Sequence, residues 1–119
     1  MRVGVLGDVH ANLPALDAVL AHARERSVDA IWNVGDTVGY GAFPNEVIER
    51  LRREGVSSIL GNYDGKVLRF AERQRKWRKK KAAQKFLAFQ WTYRHLTNPN
   101  TEYLGALPDQ MELEVVDHT

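Results

Sequence analysis

Cysteine is absent from the 119-residue sequence. Without it there is no disulfide, no thiolate metal site and no thiol nucleophile, which excludes a disulfide-stapled secreted scaffold. Long apolar runs are missing as well, and none approaches the roughly 20 residues that span a bilayer. The first apolar stretch, Val3–Leu6, contains Gly4 and is followed at once by Asp8, unlike a secretory leader. There is no internal repeat and no linker, and the one low-complexity run is Arg78–Lys81. These absences lead to the expectation of one soluble, cytoplasmic, globular domain over residues 1–119, with no membrane partner. A chain of this size buries about two-thirds of its unfolded surface, enough for a single core.

Charge is nearly balanced overall, at a formal +2, but it is not evenly spread. Between Lys66 and Arg94 stand eleven lysines and arginines against Glu72 alone. The remainder carries six basic and fourteen acidic residues. Two oppositely charged regions in one small domain each call for an explanation.

The first 64 residues alternate between strand and helix signals. Arg2–Leu6, Ala30–Val34 and Val56–Leu60 are short apolar runs, each followed by glycine, of a length that suits buried strands. Asn12 is a good N-cap before Leu13, Leu16, Val19, Leu20 and Ala23, which share a helical face. Pro44 suits the first turn of a second helix carrying Val47, Ile48 and Leu51. Strands separated by such helices predict an α/β fold: a βαβαβ unit with right-handed crossovers and a mostly parallel sheet. Beyond Asp64 the spacing predicts a charged helix over Lys66–Lys81. An amphipathic helix follows, with Ala82, Phe86, Phe89, Tyr93 and Leu96 on one side. Asn98-Pro99-Asn100 reads as a break, Glu102–Leu107 as a short turn of helix, and Met111–Val115 as an edge strand.

Polar residues cluster where the strands end. The first strand runs into Gly7-Asp8-Val9-His10, the second into Gly35-Asp36, the third into Gly61-Asn62-Tyr63-Asp64. In an open parallel sheet the carboxyl ends of the strands form the ligand crevice, so these residues are delivered to one rim. Taken singly, each has a plainer use: an Asp caps a helix, and an Asn turns a loop. Taken together, carboxylate, imidazole and amide oxygen make a mixed set suited to a borderline divalent ion such as Mn²⁺, Fe²⁺ or Zn²⁺.

Gly-Asp-x-His, then Gly-Asp-Thr-Val-Gly-Tyr-Gly, then Gly-Asn-x-Asp resembles the calcineurin-like metallophosphoesterase superfamily, most nearly its small bacterial and archaeal branch related to diadenosine tetraphosphatases. The resemblance is strong over residues 1–64 and looser through the Trp91 helix and Leu107-Pro108. It implies a sandwich of two sheets flanked by helices, of which this chain would be the N-terminal half. It also implies two divalent ions, manganese before iron, zinc, nickel or cobalt. Asp8 and His10 would hold the first ion, Asp36 would bridge both, and Asn62 would hold the second. The implied activity is hydrolysis of a phosphomonoester or phosphodiester, with a phosphorylated small molecule or nucleotide as substrate.

Two departures accompany the resemblance. The family usually has His where this chain has Tyr63, and Asp64 matches the position that orients that His. Both are therefore catalytic candidates, although a phenol with an ordinary pKa near about 10 is a poor proton carrier at neutral pH. The family also completes its site with histidines from a His-Gly and a Gly-His-x-His motif, and neither occurs here. His22 reads as solvated surface, His95 as a cation at a helix C-terminus, and His118 as the one remaining ligand candidate. An incomplete ligand set implies weak metal binding and slow turnover by this chain alone.

Arg73–Lys81 holds seven basic residues in nine, around Trp77. Three uses are open: a solvated surface helix, a nucleic-acid contact with Trp77 for stacking, or a field that draws polyanionic substrates to the rim. A non-catalytic binding module using the basic stretch 66–94 is the alternative to the enzyme.

Overall fold

The computed structural model describes residues 1–112. Strands β1 (Val3–Leu6), β2 (Ala30–Asn33) and β3 (Ser57–Ser58) lie side by side in chain order, all parallel. Val3 to Leu6 pair with Ala30 to Asn33, and Trp32 and Asn33 pair with Ser57 and Ser58. Helices α1 (Leu13–Glu25) and α2 (Pro44–Arg53) make the two crossovers, in the expected βαβαβ order. Asn12 caps α1 by accepting the Ala15 N–H at 3.1 Å, and Pro44 opens α2 with its φ already set for a helix. Leu6, Val9, Leu16, Leu20, Val47, Leu51 and Val56 bury one another as the core of this half. Val5, on the other face of β1, is 62 % exposed.

The remaining helices are α3 (Asn62–Leu68), α4 (Phe70–Lys80), α5 (Ala83–His95) and α6 (Asn98–Gly105). They enclose a second core of Val67, Phe70, Phe86, Phe89, Leu96 and Leu104, joined by Val38 and by Ile48 of α2. Helix α2 thus serves both cores, Val47 and Leu51 facing one and Ile48 the other. Asn45 ties the halves further: its amide donates to the His95 carbonyl at 2.8 Å, and its oxygen accepts the Thr97 N–H at 3.0 Å and the Asn100 amide at 2.9 Å.

Three expectations are corrected, and a fourth falls largely outside the described residues. The third strand is Ser57–Ser58 rather than Val56–Leu60, because the Leu60 N–H leaves the sheet for the Pro108 carbonyl at 2.7 Å. The single helix expected over Lys66–Lys81 is two, turning at Arg69, so that both Val67 and Phe70 reach the second core. Asn98-Pro99-Asn100 does not lie outside a helix. It is the first turn of α6, with Thr97 as N-cap and Pro99 where its missing N–H costs nothing. The proposed edge strand Met111–Val115 falls largely outside the described residues, and Met111 and Glu112 carry no strand.

Candidate metal centre

The loops after β1 and β2 are zipped together by backbone hydrogen bonds. Asp8 donates to the Gly35 carbonyl at 3.1 Å, His10 to that of Asp36 at 2.9 Å, and Ala11 to that of Thr37 at 2.8 Å. Beneath them Asn33, fully enclosed at the end of β2, donates to Thr37 Oγ1 at 2.9 Å and Ser58 Oγ at 3.1 Å and accepts the Gly35 N–H. This network gives the loops no freedom to separate. It also forces Asp8, His10 and Asp36 into left-handed backbone, with φ of 54°, 46° and 57°. Non-glycine residues rarely adopt that region, and such strain concentrates at functional sites.

The result is convergence. One donor atom from each of Asp8, His10 and Asp36 lies within 4.8 Å of the others. His10 Nε2 is 3.6 Å from Asp8 Oδ1, the Asp8 side chain being open to solvent and His10 mostly covered. His10 Nδ1 is buried with no hydrogen-bond partner. Asp36 Oδ1 accepts the Tyr63 N–H at 2.8 Å, which docks the start of α3 onto the rim. Gly35 (φ 104°) and Gly61 press against each other here. A Cβ on Gly61 would collide with the Asp36 backbone nitrogen, so only glycine fits.

Asn62 is the first residue of α3 and is exposed. It lines a neighbouring cleft of about 370 Å³ with Leu68, Arg69 and Asp109, whereas Asp8 and His10 line another of about 500 Å³ with Tyr40 and Phe43. The three charged or ionisable donors are brought together. Asn62 stands one residue before Tyr63, whose N–H donates to Asp36.

Asp64 is fully buried, accepting the N–H of Val38 on Oδ1 and of Gly61 on Oδ2, both at 3.0 Å. Burial pushes its carboxyl above the usual carboxylate range, against the opposing pull of those N–H groups. It pins the loop after β2 to the start of α3. Tyr63 is half-buried against the second core. Its ring lies 5.1 Å from the His10 imidazole, 5.4 Å from Tyr40 and 5.3 Å from Phe89, and its hydroxyl meets that of Tyr40 at 3.4 Å. With Tyr40 as donor, Tyr63 is held below the ordinary phenol range, first by that bond and then by Lys85 and Lys66, while Tyr40 is pushed up. Tyr40, Lys66 and Lys85 had no individual role in the sequence reading. The one local signal was a tyrosine set between two glycines, Gly39 and Gly41.

Two of the histidines outside the rim lie among the described residues. His22 is exposed on α1. His95 stacks on Trp91, ring centroids 4.0 Å apart, its Nδ1 at 2.7 Å from the Trp91 carbonyl. His118 lies outside the described residues. Trp77 is packed against Phe70 and Phe89, so its ring belongs to the helical core.

The family model for calcineurin-like phosphoesterases matches residues 1–113. This chain belongs to that family. An uncharacterized protein of Methanocaldococcus jannaschii is 38 % identical over 106 residues, 89 % of this chain and 42 % of the relative. The crystal structure of a metallophosphoesterase from Sphaerobacter thermophilus superposes with a TM-score of 0.71 at 35 % identity, covering 94 % of this chain and 43 % of that one. A solved structure named as a "putative diadenosine tetraphosphatase" gives a TM-score of 0.64 at 30 % identity, over 90 % of this chain and 43 % of its own. The chain therefore spans about two-fifths of the length of these relatives.

Calcineurin-like phosphoesterases work with divalent metal, and the donors here fit one. Two carboxylates and an imidazole converge on left-handed backbone. Together these three side chains form a candidate group for a divalent ion. Among the described residues no helix is long and apolar enough to cross a membrane.

Proposed function

We propose that the chain is the metal-binding, N-terminal part of a single metallophosphoesterase domain that hydrolyses phosphate esters, with a phosphorylated nucleotide the favoured substrate class. The observation that carries this reading is the meeting of Asp8, His10 and Asp36 within 4.8 Å on three left-handed residues. The nucleotide preference rests on likeness to the solved "putative diadenosine tetraphosphatase". In this reading Asp8 and His10 would hold one ion, Asp36 would be shared with a second, and Asn62 would help to hold that second ion. Bound divalent ions, manganese first, supply neutralisation of the phosphoryl oxygens and a water of lowered pKa. Asp36 is suited to the bridge because its carboxylate is oriented by the Tyr63 N–H.

Hydrolysis then has a simple balance. The water oxygen bonds to phosphorus and gives up a proton, the ester P–O bond breaks, and the leaving alkoxide oxygen takes up a proton in return. Tyr63 donates a hydrogen bond to charge developing on the phosphoryl or leaving oxygen, in place of the family's histidine. Asp64 is a positioning residue. It fixes the first turn of α3, and with it Tyr63, against the loop after β2.

Titration calorimetry and thermal melting with Mn²⁺ test the assignment. Metal should raise the melting temperature by mass action, because a cation bound only to the folded state stabilises it. Asp36→Asn should remove most of that rise, and Asp8→Ala should abolish hydrolysis of bis-p-nitrophenyl phosphate by the purified protein. An equal rise in the Asp36→Asn variant would overturn the bridging role.

A further inference from the structure

Three lysines leave the general basic surface and gather over one group of aromatic rings, two of them on the Tyr63 ring beside His10. Lys66 Nζ from α3 and Lys85 Nζ from α5 sit 5.5 Å and 5.2 Å from the centre of the Tyr63 ring. Lys81 Nζ, between α4 and α5, sits 5.0 Å from the Trp77 ring and 5.6 Å from the Phe89 ring. All three are half-buried, unlike the cations of α4. Among the described residues none of the three is ion-paired; the salt bridges there join other residues. Like charges brought together and partly desolvated repel, and the arrangement is unfavourable until an anion joins it. Consistent with this, Lys81 is held below the ordinary lysine range, first by desolvation and then by Lys66 and Lys85.

The cluster is also close to the rim. The Tyr63 ring that Lys66 and Lys85 cover is the ring that contacts His10 at 5.1 Å. A phosphoryl group held at Asp8, His10 and Asp36 is engaged there and is not the one that pairs with the ammoniums over that ring. A further phosphate of the same molecule can pair with them. We propose that Lys66, Lys81 and Lys85 form a subsite for the non-reacting phosphates of a polyphosphate, so that the substrate carries two or more linked phosphates. This rests on the phosphoesterase reading above and narrows its substrate.

The test uses the purified chain and inorganic tripolyphosphate, followed by calorimetry in EDTA so that metal plays no part. Each of Lys66→Gln, Lys81→Gln and Lys85→Gln should weaken binding about tenfold, the scale of one hydrogen bond to a charged group. Lys76→Gln and Lys79→Gln, on the exposed face of α4, should change it by less than about twofold. Circular dichroism of the triple variant should match the parent, and its Mn²⁺-induced melting shift should persist. Equal losses in the α4 controls, or unchanged binding by the triple variant, would overturn the subsite. Tighter binding of a single-stranded oligonucleotide, increasing with its length, would also overturn it by reassigning the cations to a nucleic-acid surface. Loss of the Mn²⁺ shift in Asp36→Asn reports on the metal centre alone, so the two readings fail separately.

Discussion

The strand-end rim and the basic helices meet at the Tyr63 ring but hold their charges in opposite ways. At the rim the acids are set by main chain: zipped loops, Asn33 beneath them and left-handed φ values at Asp8, His10 and Asp36. In the helical portion the cations sit at the ends of long side chains over aromatic rings. The first arrangement gives fixed donor positions, which a metal requires. The second gives charge density with adjustable geometry, which suits a phosphate chain that has several oxygens to offer. One small fold supplies both because α2 and Asn45 clamp the two cores together.

The sharpest way to break this comparison is Phe89→Ala. Phe89 is completely buried and touches Tyr63, Tyr40 and Trp77. Its loss should destabilise the protein by about 4 kcal/mol in urea unfolding and should loosen the lysine cluster before the rim. Next is Gly61→Ala, which should cost about 3 kcal/mol through the collision with the Asp36 backbone. Calorimetry should show it losing Mn²⁺ binding, whereas Phe89→Ala assayed under conditions where it remains folded should retain it.

Asn45→Ala separates the halves without entering either site. Removing three hydrogen bonds should cost about 2 kcal/mol. Amide exchange should accelerate in α5 and α6 and stay slow in β1 and β2, with Mn²⁺ affinity unchanged. The smallest effect belongs to Arg75→Gln on α4, within about 0.5 kcal/mol at any salt concentration. A larger change there would mean that α4 is more than a solvated surface.

Much of the first half was legible because its signals are local. Asn12, Pro44 and the apolar faces of α1 and α2 are each read within a single turn of helix, and a parallel sheet follows from the strand–helix alternation. Asp8, His10 and Asp36 were legible for the same reason: residues at consecutive strand ends must share a rim. The second half was harder. Arg69 gives no breaker signal, and the turn there exists only because Val67 and Phe70 both reach one core. Asn98-Pro99-Asn100 was read as an interruption, when proline in a first turn starts a helix as readily as it ends one.

By itself, then, the order of residues determined the βαβαβ unit, the rim and the family motifs, since each depends on neighbours in the chain or on the period of strand and helix. Tertiary structure alone decided the rest. It buried Asp64 as a pin between the loop after β2 and the start of α3, left Asn62 exposed in the first turn of α3, and packed Trp77 against a core. It also selected three lysines from eleven basic residues and set two of them over Tyr63 and the third over the neighbouring rings of Trp77 and Phe89. Those outcomes depend on which helices pack together across long stretches of chain, and no local spacing encodes that.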